Sequence, residues 1–204
     1  MSVVGGSAST GLIARVQNIL MKPAAEWDVI DGEPATIGGL YMGYACILAA
    51  IPAIAIVIQS LVFTHMAVVG LVIGVLGYVT SLIGVFVMAF IIDALAPSFG
   101  AQKSQIQALK LTVYSYTASW VAGILSIVPI LGILAALAGL YGLYIMYLGL
   151  PKLMKSPPDK TVGYFVVSIV VAIVVNIIIG VIVGAVTAMM MMGAIATSSA
   201  AISH

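Results

Sequence analysis

Residues 67–92 read AVVGLVIGVLGYVTSLIGVFVMAFII and contain no charged side chain. A helix needs about 20 apolar residues to cross the hydrocarbon core of a bilayer, so this stretch predicts a membrane-spanning helix. Four further apolar stretches have a comparable length; they are residues 37–63, 108–127, 131–150 and 163–191. The sequence therefore predicts an all-α integral membrane protein with a bundle of five transmembrane helices.

The composition also favours a membrane protein. Hydrophobic residues make up 63% of the 204 residues, and charged residues only 6%. Soluble domains carry about 25% charged residues. The net charge of +1 and the scattered lysines offer no patch for the phosphates of a nucleic acid, so we expect no nucleic-acid partner.

Seven basic residues predict how the five helices are oriented. All of them lie before the first stretch, around the connection between the second and the third, or after the fourth: Arg15, Lys22, Lys103, Lys110, Lys152, Lys155 and Lys160. The other two connections, near His65 and near Pro129, contain none. Basic residues that flank transmembrane helices are retained in the cytoplasm. We therefore expect a cytoplasmic N-terminus and a C-terminus on the opposite side of the membrane.

The boundary between the third and fourth predicted helices leaves an alternative open. Residues 120–150 contain no charge, and only the sequence Pro129-Ile130-Leu131-Gly132 indicates a tight turn. Four crossings with one re-entrant hairpin would also fit this pattern. Merging residues 108–150 into one helix would put the last three lysines outside, so the charge distribution favours five helices.

The flanks of the five-helix domain (36–192) are predicted to lie outside the membrane core. Residues 11–35 begin with an amphipathic pattern too short to span a bilayer, which predicts an interfacial helix. Trp27 follows in the same segment, as expected for a residue that prefers the headgroup region. Residues 1–10 and 193–204 are rich in small and polar side chains, so we predict a flexible N-terminus and a flexible C-terminal tail.

Residues suited to catalysis are scarce. The two histidines, His65 and His204, are predicted in a short loop and at the end of the chain, and Cys46 is the only cysteine. The sequence contains no zinc-protease, serine-hydrolase or phosphate-binding-loop pattern. We therefore expect no enzymatic activity, no cofactor and no metal site.

Two amides are candidate polar side chains inside the membrane. Gln59 lies near the outer end of the first predicted helix, and Asn176 near the middle of the fifth. Polar groups in a bilayer can mark a transport pathway, but an amide more often forms a single interhelical hydrogen bond. The structural role is the preferred interpretation for both.

Two segments run from predicted helices into loops on the same side of the membrane. One is IDALAPSFG at residues 92–100, and the other is YGLYIMYLGLPKLM at residues 141–154. Asp93 is expected to form an ion pair with Lys103 or Lys110. Together with Trp27, the two segments predict a cytoplasmic interaction face, whose candidate residues are Trp27, Asp93, Pro97, Phe99, Gly100, Lys103, Lys110, Tyr114, Gly149, Pro151 and Lys155.

Four motifs carry a resemblance to a known family. They are P-A-x-E-W-x-x-I (23–30), D-x-L-A-P-x-F-G (93–100), the stretch from Trp120 to Gly132, and Y-x-G-L-P-x-L-M (147–154). In this order they resemble a bacterial member of the Yip1 family. The resemblance implies five transmembrane helices, a cytoplasmic N-terminus and, in a bacterium, the inner membrane. Eukaryotic members of that family are associated with vesicle traffic between the endoplasmic reticulum and the Golgi and with prenylated Rab-type GTPases.

Two functions follow as hypotheses. The preferred one is a non-enzymatic scaffold or adaptor in membrane organisation or trafficking-like processes, which binds membrane lipids and a protein partner through its cytoplasmic face. The alternative is a small transporter or channel for an ion or small solute. A continuous polar cavity reaching Asn176 would favour transport, and a sealed apolar interior would favour the scaffold.

Glycine spacing predicts where helices approach each other closely. Such contacts can lie within one chain or in a homo-oligomer. The candidate pairs are Gly39/Gly43, Gly70/Gly74 and Gly180/Gly184.

Overall fold

A computed structural model of the protein describes residues 11–202, apart from the side chains of residues 136, 183, 186, 187, 190, 191 and 193–202. Every regular element in this part of the chain is helical. Two short helices come first, α1 (Leu12–Met21) and α2 (Pro23–Gly32). The predicted flexible residues 1–10 lie outside the described residues.

The rest of the described chain consists of further helices and three short 3₁₀ turns. In order, these elements are α3 (Ile37–Thr64), α4 (Ala67–Leu95), a 3₁₀ turn (Ala96–Phe99), α5 (Gln105–Ser115), α6 (Thr117–Ala122), two further 3₁₀ turns (Gly123–Ile127 and Pro129–Leu131), α7 (Gly132–Leu153) and α8 (Pro158–Ile202).

Four helical segments are long and apolar enough to cross a membrane. They are Ile37–Thr64, Ala67–Phe99, Pro129–Leu153 and Pro158–Ile182. These segments correspond to the first, second, fourth and fifth stretches predicted from the sequence. The fold class is therefore all-α with four candidate transmembrane helices in the described residues, where the sequence predicted five.

The predicted third crossing, residues 108–127, is not one continuous helix. Its α-helical part is interrupted at Tyr116, between α5 and α6, and it ends in the 3₁₀ turn Gly123–Ile127. Residues 108–115 are all buried, because α5 packs against both α4 and α7. A break in a helix at membrane depth is tolerated where protein covers it. This segment is thus the centre of the bundle and does not face lipid along most of its length.

Helices α3 and α4 pack antiparallel through small residues. A Cβ atom on Gly74 would lie 2.9 Å from the carbonyl oxygen of Ala53, and one on Gly70 would lie 2.3 Å from Cβ of Ser60. Of the predicted glycine pairs, Gly70/Gly74 therefore lies at a helix contact. The pair Gly180/Gly184 has no neighbour within 4 Å among the described residues.

The last helix continues beyond the predicted five-helix domain. Helix α8 ends at Ile202, so residues 193–202, which the sequence assigned to a flexible tail, are helical in this structure. Alanine and methionine favour helices; residues 193–202 contain four alanines, and four consecutive methionines precede them. Residues 203 and 204 lie outside the described part.

The contact at Gly74 generates a first prediction. Replacing Gly74 with alanine should destabilise the protein by about 1–3 kcal/mol, because the added methyl group meets a backbone oxygen that cannot move aside easily. A Cβ atom on Gly77, one turn further along α4, would have no neighbour within 4 Å among the described residues, so Gly77→Ala is the matched control and should leave stability unchanged or slightly raised. Thermal unfolding in detergent measures both variants. Equal unfolding temperatures would contradict the packing described for α3 and α4.

Candidate functional site

Three segments of the chain meet at one end of the bundle. They are residues 11–35, residues 93–114 and residues 147–160, and we call this region the charged end because it contains all seven basic residues. Hydrogen bonds join the segments in pairs. Gln102 N donates to the carbonyl oxygen of Met154 at 2.7 Å, and Lys110 Nζ donates to the carbonyl oxygen of Ile30 at 2.9 Å. The segments that the sequence grouped together are therefore in contact in the structure.

Trp27 anchors the N-terminal segment to the bundle. Its side chain is fully buried, and its Nε1–H donates to the carbonyl oxygen of Ile145 at 2.9 Å. The ring fits against Gly149, where a Cβ atom would lie 2.5 Å from the indole. Tyr114 packs edge-on against the same ring with a centroid distance of 6.3 Å. A residue expected in the headgroup region is therefore part of the protein core, and Gly149 is required to make room for it.

Arg15 forms the most buried ion-pair cluster among the described residues. Its guanidinium donates to the carboxylates of Glu26 and Glu33 and lies 5.7 Å from the centre of the Tyr114 ring. The side chains of Arg15 and Glu26 are only 5% and 7% exposed. Burial opposes the charge on Arg15, but the hydrogen bond and charge of Glu33, with Tyr114 and Glu26, raise its pKa above the ordinary value. The guanidinium is therefore charged at every physiological pH.

The amphipathic helix α1 packs against the bundle on the face that carries Arg15. Arg15 and Ile19 are buried, whereas Ile13 and Met21 are exposed. Tyr141 Oη donates to the carbonyl oxygen of Leu20 at 2.6 Å, which ties α1 to α7. Gln17 and Asn18 are exposed as well, so the face of α1 that contacts the bundle is mostly apolar and most of its polar side chains point away from the bundle.

The expected ion pair of Asp93 with Lys103 or Lys110 is wrong. Lys110 donates to the carbonyl oxygens of Ile30, at 2.9 Å, and Glu33, at 2.6 Å. Asp93 is buried, and its Oδ1 has no hydrogen-bond partner among the described residues. The reason is that α2 occupies the space beside Lys110 and offers it the free carbonyl groups at its C-terminal end.

The motif that follows Asp93 forms a compact turn against α8. Phe99 stacks on Tyr164 with ring centroids 5.2 Å apart and planes inclined by 10°, and Tyr164 Oη donates to the carbonyl oxygen of Ile92. Gly100 has a φ of +68°, a left-handed conformation that strains residues with a side chain. Pro97 begins this turn, and its carbonyl oxygen accepts from Gly100 N at 3.2 Å. The motif residues therefore have structural roles: they form the turn that ends α4, and they pack against α8.

Two acids of α2 are paired with lysines at the end of α7 and just after it. Lys152 pairs with Asp28, and Lys155 pairs with Asp31. Pro151 lies in the last turn of α7 and is half-buried. These pairs are more exposed than the Arg15 cluster, and exposed pairs contribute only about 0–1 kcal/mol each.

Three of the predicted residues lie apart from these contacts. Lys103 is exposed at the charged end. Gln59 is half-buried near the opposite end of α3. Asn176 is exposed on α8, and its Nδ2 donates to the carbonyl oxygen of Ala172 in the same helix at 2.8 Å. The amide of Asn176 therefore bonds within its own helix and does not link two helices as expected.

Sequence reasoning missed Arg15, Glu26, Glu33 and Tyr164. The available signal was the presence of a single arginine and several acids in one short segment of a protein that is poor in charge. In a chain of this composition, opposite charges so close in sequence predict mutual pairing. Among the described residues, no group of three or more histidine, cysteine, aspartate or glutamate side chains is placed to hold a metal ion.

Long apolar helices with their charges gathered at one end define a multi-pass integral membrane protein of the helical-bundle class. The Yip1 domain matches residues 18–180, which is most of the chain, so the protein belongs to the Yip1 family. The match confirms the resemblance seen in the sequence motifs. No curated protein and no solved structure matches the chain.

The Arg15 cluster generates a second prediction. Arg15→Ala should destabilise the protein by about 3–5 kcal/mol, because it leaves the carboxylate of Glu26 buried without its partner. Thermal unfolding in detergent, with limited proteolysis between α1 and α3, measures the loss and locates it. The exposed Lys22 provides the control, since Lys22→Ala should change stability by less than about 0.5 kcal/mol. Wild-type stability and protease resistance in Arg15→Ala would show that the cluster does not hold the N-terminal segment in place.

Proposed function

We propose that this Yip1-family protein is a non-enzymatic scaffold or adaptor that acts through its charged end in membrane organisation or trafficking-like processes. The observation that supports this proposal is the way in which residues 11–35 are fixed on the bundle. Trp27 and Arg15 are buried there and bonded to other parts of the chain. The backbone that carries the exposed side chains of the N-terminal segment is consequently fixed before any partner binds, which lowers the entropy lost on binding.

Five membrane crossings are part of the proposal. Phe99 and Leu153 both lie at the charged end. Because Leu153 is the last residue of α7, the first residue of that helix, Gly132, lies towards the opposite end. The chain between Phe99 and Gly132 must therefore travel the length of the bundle. Residues 105–127 are helical throughout except at Tyr116, and at about 1.5 Å per α-helical and 2.0 Å per 3₁₀ residue they span roughly 35 Å. That length exceeds the roughly 30 Å hydrocarbon core.

The charged end faces the cytoplasm in this proposal, and the membrane is the inner membrane of a bacterium. All seven basic residues belong to the charged end, and basic residues beside crossings are retained in the cytoplasm. An odd number of crossings then puts the C-terminus on the opposite side.

The exposed lysines indicate the chemistry of a partner. The three acids of α2, with Glu33 just after it, are engaged by Arg15, Lys152 and Lys155. Other cations of the charged end remain exposed: Lys22, Lys103 and Lys160. Asp159 is also exposed there, so three exposed lysines against one exposed acid leave a small net positive charge. Such a surface suits an acidic segment of a protein or the headgroups of anionic lipids, each lysine contributing about 1 kcal/mol near it.

A third prediction tests the orientation and the number of crossings. In a Cys46→Ala background, single cysteines at Met66 and at Ile130 should react with a membrane-impermeant maleimide added to intact cells, because both lie in connections at the end opposite the charges. A cysteine at Lys103 should react only after the membrane is permeabilised. Labelling of the Lys103 position in intact cells would contradict the orientation. Protection of the Ile130 position, with the Met66 position labelled, would favour four crossings and a re-entrant hairpin.

A fourth prediction tests the adaptor function. Crosslinking in native membranes followed by purification should recover a specific protein with the wild type, and Lys103→Gln/Lys160→Gln should reduce its recovery by up to roughly thirtyfold, since two favourable charges are removed. Five basic residues remain, so the orientation is retained. His65→Gln at the opposite end is the control and should recover the partner normally.

Two outcomes would contradict that prediction in different ways. Equal recovery with the lysine variant would exclude these lysines from the interaction face. Failure to recover any partner with the wild type would contradict the adaptor and favour the alternative, a small transporter or channel.

One observation favours that alternative. A cavity of about 520 Å³ reaches Asn176, and Ser115, Tyr116 and Ser119 also line it. Most of its lining is nevertheless apolar, and no charged side chain is among the lining residues. A permeating ion would find little to replace its water of hydration in such a cavity. The transport alternative is therefore restricted to small neutral solutes.

A further inference from the structure

A groove at membrane depth separates α8 from the break between α5 and α6. It has a volume of about 520 Å³, within the usual range for small-molecule sites of about 300–1,000 Å³. Ser115, Met88 and Met146 form a buried floor, while Ile173 and Ile177 of α8 form an exposed rim. Because this rim belongs to an apolar transmembrane segment, the groove opens sideways towards lipid.

The floor of the groove contains a hydroxyl group without a partner. Ser115 is only 2% exposed, and its Oγ forms no hydrogen bond with any described residue. Serine and threonine in helices commonly bond to the carbonyl oxygen four residues earlier. Thr112 does so one turn away, where its hydroxyl donates to Ala108 O at 2.9 Å. Ser115 lines the groove instead, and a buried hydroxyl left unpaired is unfavourable.

Two glycines of α7 shape the wall beside this hydroxyl. A Cβ atom on Gly142 would lie 2.8 Å from the carbonyl oxygen of Ser115, so Gly142 allows α7 to approach the helix break. A Cβ atom on Gly139 would meet only Ser119 Oγ, at 3.8 Å. Gly139 therefore leaves open space within the groove, which a larger side chain could fill without meeting the backbone.

The lining defines the chemistry of the occupant. Its walls are mostly aliphatic and contain no charged residue, and an ionised group at this depth is strongly disfavoured. The polar atoms are two serine hydroxyls, a tyrosine and one amide, gathered around an apolar space. This arrangement suits an alkyl chain that bears one neutral oxygen, because that oxygen can accept the proton that Ser115 has nowhere else to donate.

We propose that the groove binds a neutral membrane lipid, with its alkyl chain along α8 and a hydroxyl or carbonyl oxygen bonded to Ser115. The lipid enters from the bilayer through the opening between α7 and α8. This site is separate from the charged end and does not depend on the adaptor function.

Photolabelling of the purified full-length chain in nanodiscs tests the proposal. The probes are a long-chain alcohol that carries a diazirine, the corresponding ketone, and the corresponding alkane without oxygen. The alcohol, the ketone or both should label peptides of α7 and α8 that line the groove, and comparison of the two identifies the type of oxygen. Ser115→Ala should reduce that labelling about two- to tenfold, the effect of one lost hydrogen bond. Gly139→Leu should abolish it by filling the groove.

Matched variants separate binding from general damage. Ser168 is also a buried serine whose Oγ has no partner among the described residues, but it does not line the groove, so Ser168→Ala should label like the wild type. Gly180 lies on the exposed surface of α8 with nothing within 4 Å, so Gly180→Leu controls for Gly139→Leu. Each variant is required to keep the wild-type unfolding temperature. Labelling by the alkane that equals labelling by both oxygenated probes, or labelling that survives Ser115→Ala and Gly139→Leu, would overturn the proposal.

Discussion

The absence of hydrogen-bonding partners in lipid is the constraint on which this structure depends. A polar group that is removed from water, whether by lipid or by burial among apolar side chains, must be satisfied by another part of the protein. Arg15 meets this requirement through Glu26 and Glu33, and Lys110 through two backbone carbonyl groups of the α2 region. The same requirement joins the short N-terminal helices to the bundle, so that residues 11–35 belong to the folded domain.

This constraint also explains why the central helix is the least regular one. Residues 105–127 contain a lysine and several hydroxyl side chains, and such a segment is poorly suited to face lipid. The surrounding helices α4 and α7 cover it, and protein contacts there tolerate the interruption at Tyr116. Beside α8, other helices do not cover the segment completely, and the groove at Ser115 lies there.

The charged end and the groove therefore differ in the ligands that they can bind. The charged end is preorganised by buried contacts and exposes an excess of lysines to an aqueous phase. The groove is neutral, mostly apolar and open to the bilayer. An adaptor that acts at the first surface and a lipid site at the second are compatible, since no residue of the groove takes part in the ion pairs of the charged end.

The sequence by itself determined the class of protein, because apolar stretches such as residues 67–92 can be covered only by lipid or by one another. It also determined the family, through motifs such as D-x-L-A-P-x-F-G. It placed the segments of Trp27, Gly149 and Phe99 on one side, since charge bias acts locally along the chain.

Only the tertiary structure decided which groups contact each other. Lys110 bonds to α2 and leaves Asp93 unpaired, Trp27 is inserted beside Gly149, and Ser115 faces a groove. These outcomes depend on the packing of helices that are distant in sequence. Hydropathy and charge patterns indicate whether water or an apolar environment surrounds each segment. They therefore contain no information about which side chains of distant helices contact each other.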